Sequence, residues 1–390
     1  MRPLHALLLP PGRQLLDALA AALDGGPAIL PLDPQMPHAV RDRLLAHLRP
    51  HALVDGSGVH ALDDPADLTP DIAVVVATSG STGMPKGVQL TAAALRHSVI
   101  ASLDRLSADP GQRWLCCLPT HHIAGLQVLV RSLVAGSTPD IRPAFEPAAL
   151  RDTDAAFVSL VPTMLHRALA AGVDLTGFRA ILLGAAAADP ALLLRARKAG
   201  VRVVVTYGMS ETCGGAVYDG VPLAGVDVAV DAADGRIRLA GPVLAAGYRL
   251  APELTAAAFV DGWHVTQDAG RLDAHGRLHA LGRLDDIVVT GGVNVSLLEV
   301  ARAVARHPAV TEAAAFARPD PEWGQRIVAV VVAAAGAPPL AALRELVAAC
   351  VGVEAAPREL IAVDALPVLA GGKLDRATLH RLGSREPAGT

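Results

Sequence analysis

Residues 73–77 form an unbroken apolar run, Ala-Val-Val-Val-Ala, that passes directly into Thr78-Ser79-Gly80-Ser81-Thr82-Gly83-Met84-Pro85-Lys86-Gly87. A strand without polar alternation has both faces covered, which reads as a buried strand. Similar runs recur at residues 157–161, 180–183 and 201–205, separated by alanine-rich helical stretches. That alternation predicts an α/β fold with buried strands. From residue 227 to 281 the pattern shifts to short strands punctuated by Asp234-Gly235, Asp261-Gly262 and His275-Gly276, which reads as a β-rich, antiparallel subdomain.

Beyond Arg283 come Val288-Val289, a Gly291-Gly292 turn, a helical stretch over 297–306 and strands near 313–317 and 327–334. About a hundred residues of this kind suit a small α+β domain. The expected organisation is therefore a large domain over 1–283, with mixed α/β sheets and the β-rich subdomain. A small, mobile α+β domain over 284–383 and a frayed tail over 384–390 complete it.

The formal net charge is -4 and the 34 Lys and Arg residues are spread along the chain, so no basic stripe for a phosphate backbone is visible and nucleic acid is not expected as a partner. The 52% hydrophobic content rests largely on alanine. Of the two stretches that could mislead, 4–9 runs straight into Pro10, Pro11 and Arg13 and 327–343 is broken by Gly336, Pro338 and Pro339, so neither membrane insertion nor a signal peptide is expected. Cys116, Cys117, Cys213 and Cys350 show no metal-ligand spacing, and adjacent Cys116 and Cys117 would face opposite sides of a strand; reduced thiols in a cytoplasm fit this pattern. The sequence leaves a homo-oligomer open.

The segment 78–87 has the chemistry of a phosphate cradle. Glycines let backbone N–H groups approach an anion, Thr78, Ser79, Ser81 and Thr82 add hydroxyl donors, and Lys86 adds a positive charge. The spacing is not that of a Walker A loop, and a shorter match would be no more than a flexible turn. Ten residues ending in Pro-Lys-Gly carry more weight. The segment resembles the phosphate-binding signature of the adenylate-forming superfamily, which includes acyl-CoA synthetases, peptide-synthetase adenylation domains and luciferases.

Further segments match in the family's order. Tyr207-Gly208-Met209-Ser210-Glu211 resembles its aromatic-Gly-x-Thr-Glu motif, residues 263–268 its ribose-binding segment, and Gly282-Arg283-Leu284-Asp285-Asp286 its hinge. Gly371-Gly372-Lys373-Leu374 resembles its C-terminal lysine loop. The likeness covers about residues 30–379. It implies ATP, Mg²⁺ and CoA as cofactor and co-substrates: a carboxylic acid becomes an acyl-adenylate and is then passed to a thiol. Because ATP's α-phosphate must be attacked by another anion, positioning and electrostatic stabilisation dominate such a reaction.

The resemblance implies roles for individual residues. Lys86, Glu211 and Lys373 would be catalytic, with Glu211 holding Mg²⁺ through carboxylate oxygen. Thr78, Ser79, Gly80, Ser81, Thr82, Gly83, Gly184, Ala185, Tyr207, Gly208, Met209, Ser210, Asp268 and Arg283 would bind ATP. Tyr207 would stack on adenine and Asp268 would accept from the ribose hydroxyls. The bland readings are a solvated Glu211, a core Tyr207, an Asp268 that caps a turn at Ala269-Gly270, and an Arg283 engaged in a surface ion pair. Asp285 would be the hinge, and Gly291 and Gly292 would line the channel for the CoA thiol. Gln267, Val293 and Leu297 stand where the family usually has Gly, Glu and Pro, which bears on that channel and removes no catalytic group.

The phosphate loop begins at Thr78, early for the family. With Leu118-Pro119-Thr120-His121-His122-Ile123-Ala124-Gly125-Leu126-Gln127, this trimming is most similar to the short actinobacterial o-succinylbenzoate:CoA ligases of menaquinone synthesis. That acid carries two carboxylates and a ketone on a ring, so its pocket needs an apolar slot and a donor or cation for the second carboxylate. His121, His122, Gln127 and Arg131 are the candidates, and small residues 185–188 would leave room for the ring. Against this stand a core histidine beside an exposed one, and an Arg131 that is only a solvated helix charge. Another aryl or short-chain acid, a separate carrier protein as acceptor, and a non-catalytic nucleotide-binding relative are the other readings.

Overall fold

The computed structural model describes residues 1–78, 85–333, 336–368 and 374–382, with Asn294 described in its backbone only. Two compact units emerge, the first made of Met1–Ala229, Arg238–Thr266 and Leu272–Leu278, the second of Val230–Ile237, Gln267–Arg271 and the chain from His279 onward. The fold is the mixed α/β architecture expected, with a small C-terminal α+β part.

In the first unit the strands are β1 (Leu4–Leu7), β2 (Ala28–Pro31), β3 (Ala52–Asp55), β4 (Gly58–Ala61), β5 (Ile72–Thr78), β6 (Lys86–Thr91), β7 (Trp114–Cys116), β8 (Asp140–Ile141), β9 (Phe157–Leu160), β10 (Ala180–Leu183), β11 (Val203–Met209), β12 (Gly214–Tyr218) and β13 (Val221–Pro222). Its helices are α1 (Arg13–Leu23), α2 (His38–Leu48), α3 (Ala92–Leu106), α4 (Ile123–Val134), α5 (Pro162–Ala170) and α6 (Pro190–Lys198). After β14 (Asp227–Val230) and β15 (Arg236–Ala240) come the short β16 (Gly247–Tyr248), α7 (Pro252–Ala258), β17 (Phe259–Val260) and β18 (Trp263–Leu272). The expected β-rich stretch is present, and β17 and the start of β18 pair antiparallel.

Two sheets organise this unit, in the strand orders β16-β6-β5-β2-β1-β3-β4 and β13-β12-β11-β10-β9-β7-β8. The buried runs explain the layering. One core joins Val74, Val76 and Val88 of the first sheet to Trp114, Phe157 and Leu182 of the second, through Leu15 and Leu19 of α1, Leu95 and Val99 of α3, and Leu126 and Leu129 of α4. Alternate residues of the first sheet, Leu4, Leu30 and Val75, face Leu44 and Leu48 of α2 on its other side. Ile181, Leu183 and Val158 of the second sheet face Leu165 of α5 and Leu192 of α6. Each sheet is therefore covered on both faces, as the continuous apolar strands required. Cys116 joins the central core and Cys117 the outer one, on opposite sides as the pleat dictates.

A buried arginine ties the short early segment to the rest of this unit. Arg249 is 2% exposed. Its guanidinium donates to the carbonyls of Leu48, Arg49 and Ala66. Leu48 and Arg49 sit at the C-terminus of α2, where helical carbonyls lack intrahelical donors. Burial pulls the Arg249 pKa down to about 10.

In the second unit β19 (Leu278–Arg283) leads to β20 (Ile287–Thr290) and β21 (Val293–Ser296), then α8 (Leu297–Val304), β22 (Val310–Asp320), β23 (Gly324–Ala333), α9 (Leu340–Cys350), β24 (Glu359–Ala362) and α10 (Arg376–Leu382). Strands β22, β23 and β24 form a sheet in that order. Val300, Val304, Leu343 and Val347 of α8 and α9 pack on one face, against Ile327, Ala329 and Val331. Leu379 of α10 packs on the other, against Phe316, Val328 and Val330. Ser296 caps α8 by accepting from the Glu299 N–H at 3.3 Å, so Leu297 begins the helix without needing proline there.

Candidate active site

Strands β5 and β6 pair antiparallel with Thr78 opposite Lys86, so the phosphate-loop segment leaves and rejoins the sheet at one point. Ser79, Gly80, Ser81, Thr82 and Gly83 lie outside the described residues. On the far edge of β6, β16 sets Tyr248 opposite Val88 and Gly247 opposite Gln89. This brings three candidate groups together. The Tyr248 hydroxyl donates to Oε1 of Glu211 at 2.9 Å, and the Lys86 ammonium lies over the Tyr248 ring, 5.2 Å from its centroid. Burial, and then the Glu211 charge, push the Tyr248 phenol well above its ordinary pKa, so it remains a proton donor across the working range. Among the described residues Lys86 forms no ion pair and Glu211 has no side-chain partner besides Tyr248.

Glu211 is presented by a tight turn between β11 and β12. The ladder shifts register between Tyr207 and Gly208, and Ser210–Thr212 forms a 3₁₀ turn. A β-carbon on Gly208 would overlap the Gly214 carbonyl, so only glycine permits this approach. The Thr212 hydroxyl accepts from the Met209 N–H at 3.0 Å and donates to the Gly214 carbonyl at 2.7 Å. The Ala245 N–H fixes the Glu211 carbonyl at 2.8 Å. Ser210 is buried, and Glu211 is partly exposed.

Gly184 and Ala185 follow β10, which runs parallel to β9 and β11. Residues 184–185 and 207–211 thus share the carboxyl end of these parallel strands, where open α/β sheets bind their ligands. Gly184 donates its N–H to the Leu160 carbonyl at 3.2 Å, and a β-carbon there would overlap the Thr206 hydroxyl. Ala185 adopts φ 64°, a left-handed conformation that costs a non-glycine residue energy and clusters at ligand sites.

The four acid-binding candidates separate into two pairs. His121 and His122 follow β7 at the entrance to α4, their ring centroids 4.3 Å apart. His121 is half-buried and His122 exposed. Burial lowers the His121 pKa, opposed in part by the Asp33 charge. A β-carbon on Gly125 would overlap the Pro119 carbonyl, so the first turn of α4 lies directly on the chain that carries both histidines. Gln127 and Arg131, by contrast, point into the interior. The Gln127 amide donates to the Cys213 carbonyl and, at 3.3 Å, to the Ser98 hydroxyl, and its Oε1 is buried without a donor among the described residues. Arg131 is 5% exposed. It donates to the hydroxyls of Ser102 at 3.2 Å and Tyr218 at 3.4 Å, and lies 4.9 Å from the centre of the Trp114 indole. It is not the solvated helix charge that the sequence allowed, because Trp114, Ser102 and Tyr218 enclose it.

In the second unit Asp268 lies within β18, not at a turn, and accepts from Arg283 Nη1 at 3.4 Å. Asp285 and Asp286 form a short 3₁₀ turn after β19, and Arg376 grips both oxygens of Asp286. Gly291 and Gly292 join β20 to β21 with φ 58° and 80°, the pair of positive values that a two-residue hairpin needs. They border a cavity of about 590 Å³ with Trp323, over whose ring the Arg358 guanidinium lies at 3.4 Å. Lys373 lies outside the described residues.

Tyr248, which contacts both Lys86 and Glu211, carries little signal in the sequence. Its only signal was a Gly-Tyr-Arg triplet in a chain with three tyrosines. Among the described residues no cluster of three His, Cys, Asp or Glu side chains could hold a metal alone, and no helix is long and apolar enough to cross a membrane. A metal at Glu211 would therefore take its remaining ligands from phosphate and water, as Mg²⁺ commonly does.

A carboxylate and a cation joined through one tyrosine, near the carboxyl end of parallel strands, are groups that a nucleotide-dependent transferase or ligase would use. The chain belongs to the AMP-binding enzyme family, whose profile matches residues 55–249, with the AMP-binding enzyme C-terminal domain matching 299–373. It is 42% identical over 98% of its length to a probable 2-succinylbenzoate–CoA ligase of Mycobacterium tuberculosis (strain CDC 1551 / Oshkosh), covering 98% of that protein. It is 32% identical over 79% of its length to a 2-succinylbenzoate–CoA ligase of Listeria monocytogenes serotype 4b (strain F2365), covering 69% of that chain. The structure of o-succinylbenzoate CoA synthetase from Bacillus subtilis in complex with the acyl-adenylate intermediate superposes with a TM-score of 0.85 at 27% identity, over 97% of this chain and 88% of that one. The same Bacillus enzyme has been solved with ATP and a magnesium ion.

Proposed function

We propose that this chain activates o-succinylbenzoate with ATP as an acyl-adenylate and transfers the acyl group to CoA, the step that serves menaquinone synthesis. The observation that carries this reading is the full-length likeness to the mycobacterial ligase, 42% identical over 98% of both chains. The Lys86, Tyr248 and Glu211 arrangement agrees with it.

The acid's carboxylate attacks the α-phosphorus and pyrophosphate leaves, so negative charge accumulates where two anions meet. Lys86 offsets that charge from the end of β6. The residues fit Mg²⁺: Glu211 is held by one hydrogen bond and offers carboxylate oxygen, a hard donor that suits a hard cation. When bound, Mg²⁺ would neutralise phosphoryl charge. The segment Thr78 to Gly83 supplies N–H and hydroxyl donors to the phosphates. Gly184, Ala185, Tyr207, Gly208, Met209 and Ser210 hold adenine and the adenylate. Asp268 takes the ribose hydroxyls, with Arg283 alongside.

His121 and His122 meet the acid, while Gln127 and Arg131 stiffen the wall behind it. Lys373 serves adenylate formation, Asp285 is the pivot, and Gly291 and Gly292 admit the thiol. The four free cysteines, three of them buried, agree with a cytoplasmic setting. The test is acid-dependent AMP release with ATP, Mg²⁺ and CoA, comparing o-succinylbenzoate with benzoate, succinate and medium-chain fatty acids, with the thioester identified by mass. A large preference for o-succinylbenzoate is expected. Turnover with only another acid removes the named substrate, and adenylate formation without thioester points to a carrier protein as acceptor.

A further inference from the structure

Glu211 has to present its carboxylate in one orientation if it is to meet a cation held on ATP, yet its turn does not enforce this by itself. The turn fixes the Glu211 backbone, through Ala245 N–H to the Glu211 carbonyl at 2.8 Å and through the Thr212 hydroxyl. The side chain extends beyond that hold. Among the described residues only the Tyr248 hydroxyl bonds to it, at 2.9 Å on Oε1, which leaves Oε2 without a protein donor.

Tyr248 is itself strongly located. Its backbone N–H donates to the Thr255 hydroxyl at 2.9 Å, and its ring lies 5.7 Å from the Phe259 ring. Strand pairing to β6 sets it opposite Val88, two residues from Lys86. The same ring carries the Lys86 ammonium, 5.2 Å from its centroid. One residue therefore sets the position of both the cation and the carboxylate. Without it the two opposite charges would be free to close on each other as an ion pair, which would occupy the groups that ATP and its metal need.

We propose that Tyr248 is a positioning residue: its hydroxyl holds Glu211 Oε1 so that Oε2 stays open to the divalent cation on ATP, and its ring seats Lys86 apart from Glu211. This rests on the adenylating function proposed above. It predicts a division of effects within one side chain, because the hydroxyl governs metal-dependent binding and the ring governs the phosphate cation.

The experiment is isothermal titration of ATP into the full chain without acid, once with excess Mg²⁺ and once with EDTA, for wild type, Tyr248→Phe, Tyr248→Leu, Glu211→Gln and Glu211→Gln/Tyr248→Phe. Tyr248→Phe keeps the ring and should weaken ATP binding about tenfold with Mg²⁺, the loss expected for one hydrogen bond to a charged group. Its binding in EDTA and its melting temperature should stay at the wild-type values. Tyr248→Leu should weaken binding in both conditions. Adding Tyr248→Phe to Glu211→Gln should cost little more than Glu211→Gln alone, since both changes act through one carboxylate. Equal weakening of Tyr248→Phe with and without Mg²⁺, or none at all, overturns the proposal, as does full additivity in the double variant. If Tyr248→Phe does not fold, the dependence of Glu211→Gln on Mg²⁺ decides: this variant must lose most of the change in ATP affinity that Mg²⁺ produces in wild type, and a full wild-type Mg²⁺ dependence overturns the proposal. Wild type that binds no ATP under either condition refutes the adenylating function itself, a different outcome from a Tyr248 variant that behaves like a functional wild type.

Discussion

Replacing Arg249 by methionine should unfold the first unit at a markedly lower temperature, and the structure sets the size of the effect. The guanidinium serves three carbonyls, those of Leu48, Arg49 and Ala66, at a position 2% exposed. Methionine nearly matches the volume, so little cavity is created and the cost lies in the carbonyls. A buried acceptor left without a donor costs about 1–3 kcal/mol. Three of them would suggest up to about 9 kcal/mol, but relief from burying a charge offsets part of this, as the downward pull on the Arg249 pKa to about 10 indicates. A net loss of roughly 3–4 kcal/mol is expected, equivalent to a fall in melting temperature of about 6–16 °C at 2–4 °C per kcal/mol. Arg249→Lys keeps the charge but offers a compact ammonium instead of a fork, and should fall between the two. Differential scanning calorimetry measures this directly. A melting temperature for Arg249→Met within about 2 °C of wild type would show that the three carbonyls find water or one another, and that the arginine is no tie.

Other consequences follow from single features. Gly208→Ala should abolish most adenylate formation while leaving the first unit folded, since the overlap with Gly214 falls on the turn that presents Glu211; pyrophosphate release and far-UV circular dichroism separate the two effects. In native protein only Cys350 should react promptly with Ellman's reagent, because burial raises the Cys116 and Cys117 thiols to about 12 and raises Cys213 as well; prompt reaction of two or more thiols refutes this. His121 has a folded pKa below its unfolded one, so the unfolded chain gains a proton first and stability falls as pH drops below about 6.5. His121→Asn should flatten the urea-denaturation midpoint between pH 7.5 and 5, and an unchanged slope would exclude a contribution from His121. Lys373→Ala should block adenylate formation and spare thiolysis of preformed adenylate, and equal loss in both half-reactions counts against the assigned role.

Much of the architecture was legible because the apolar runs are unambiguous in period. Residues 157–160 and 180–183, buried at every position, could only be interior strands, and the doubled glycine at 291–292 could only be a turn. Strand β11 runs further than its apolar pattern implies. Its sequence turns polar at Thr206 and Tyr207, yet pairing with β12 carries it to Met209, so a ladder partner remote in sequence outweighed local pattern. The same distinction separates the candidate site residues that are visible in the sequence from the one that is not. Lys86 and Glu211 sit in recognisable local strings, whereas Tyr248 acquires its place from an edge pairing to β6, 160 residues away in sequence, and from α7.

Arg131 shows the converse. Its helix was legible, but the face it occupies was not, because α4 lies between two sheets and is buried around most of its circumference, from Gly125 to Ser132. A helix enclosed in this way loses the amphipathic stripe from which an exposed charge is normally inferred, so a cation on it must find internal partners. Arg131 finds Trp114, Ser102 and Tyr218. On the function proposed above, the chemistry of the site is divided by origin: the groups assigned to phosphate are specified locally, and the residue assigned to hold them apart is specified by sheet pairing. Substitutions in the second class should therefore alter affinity for ATP and metal before they alter the fold, which is the pattern that the Tyr248 variants measure.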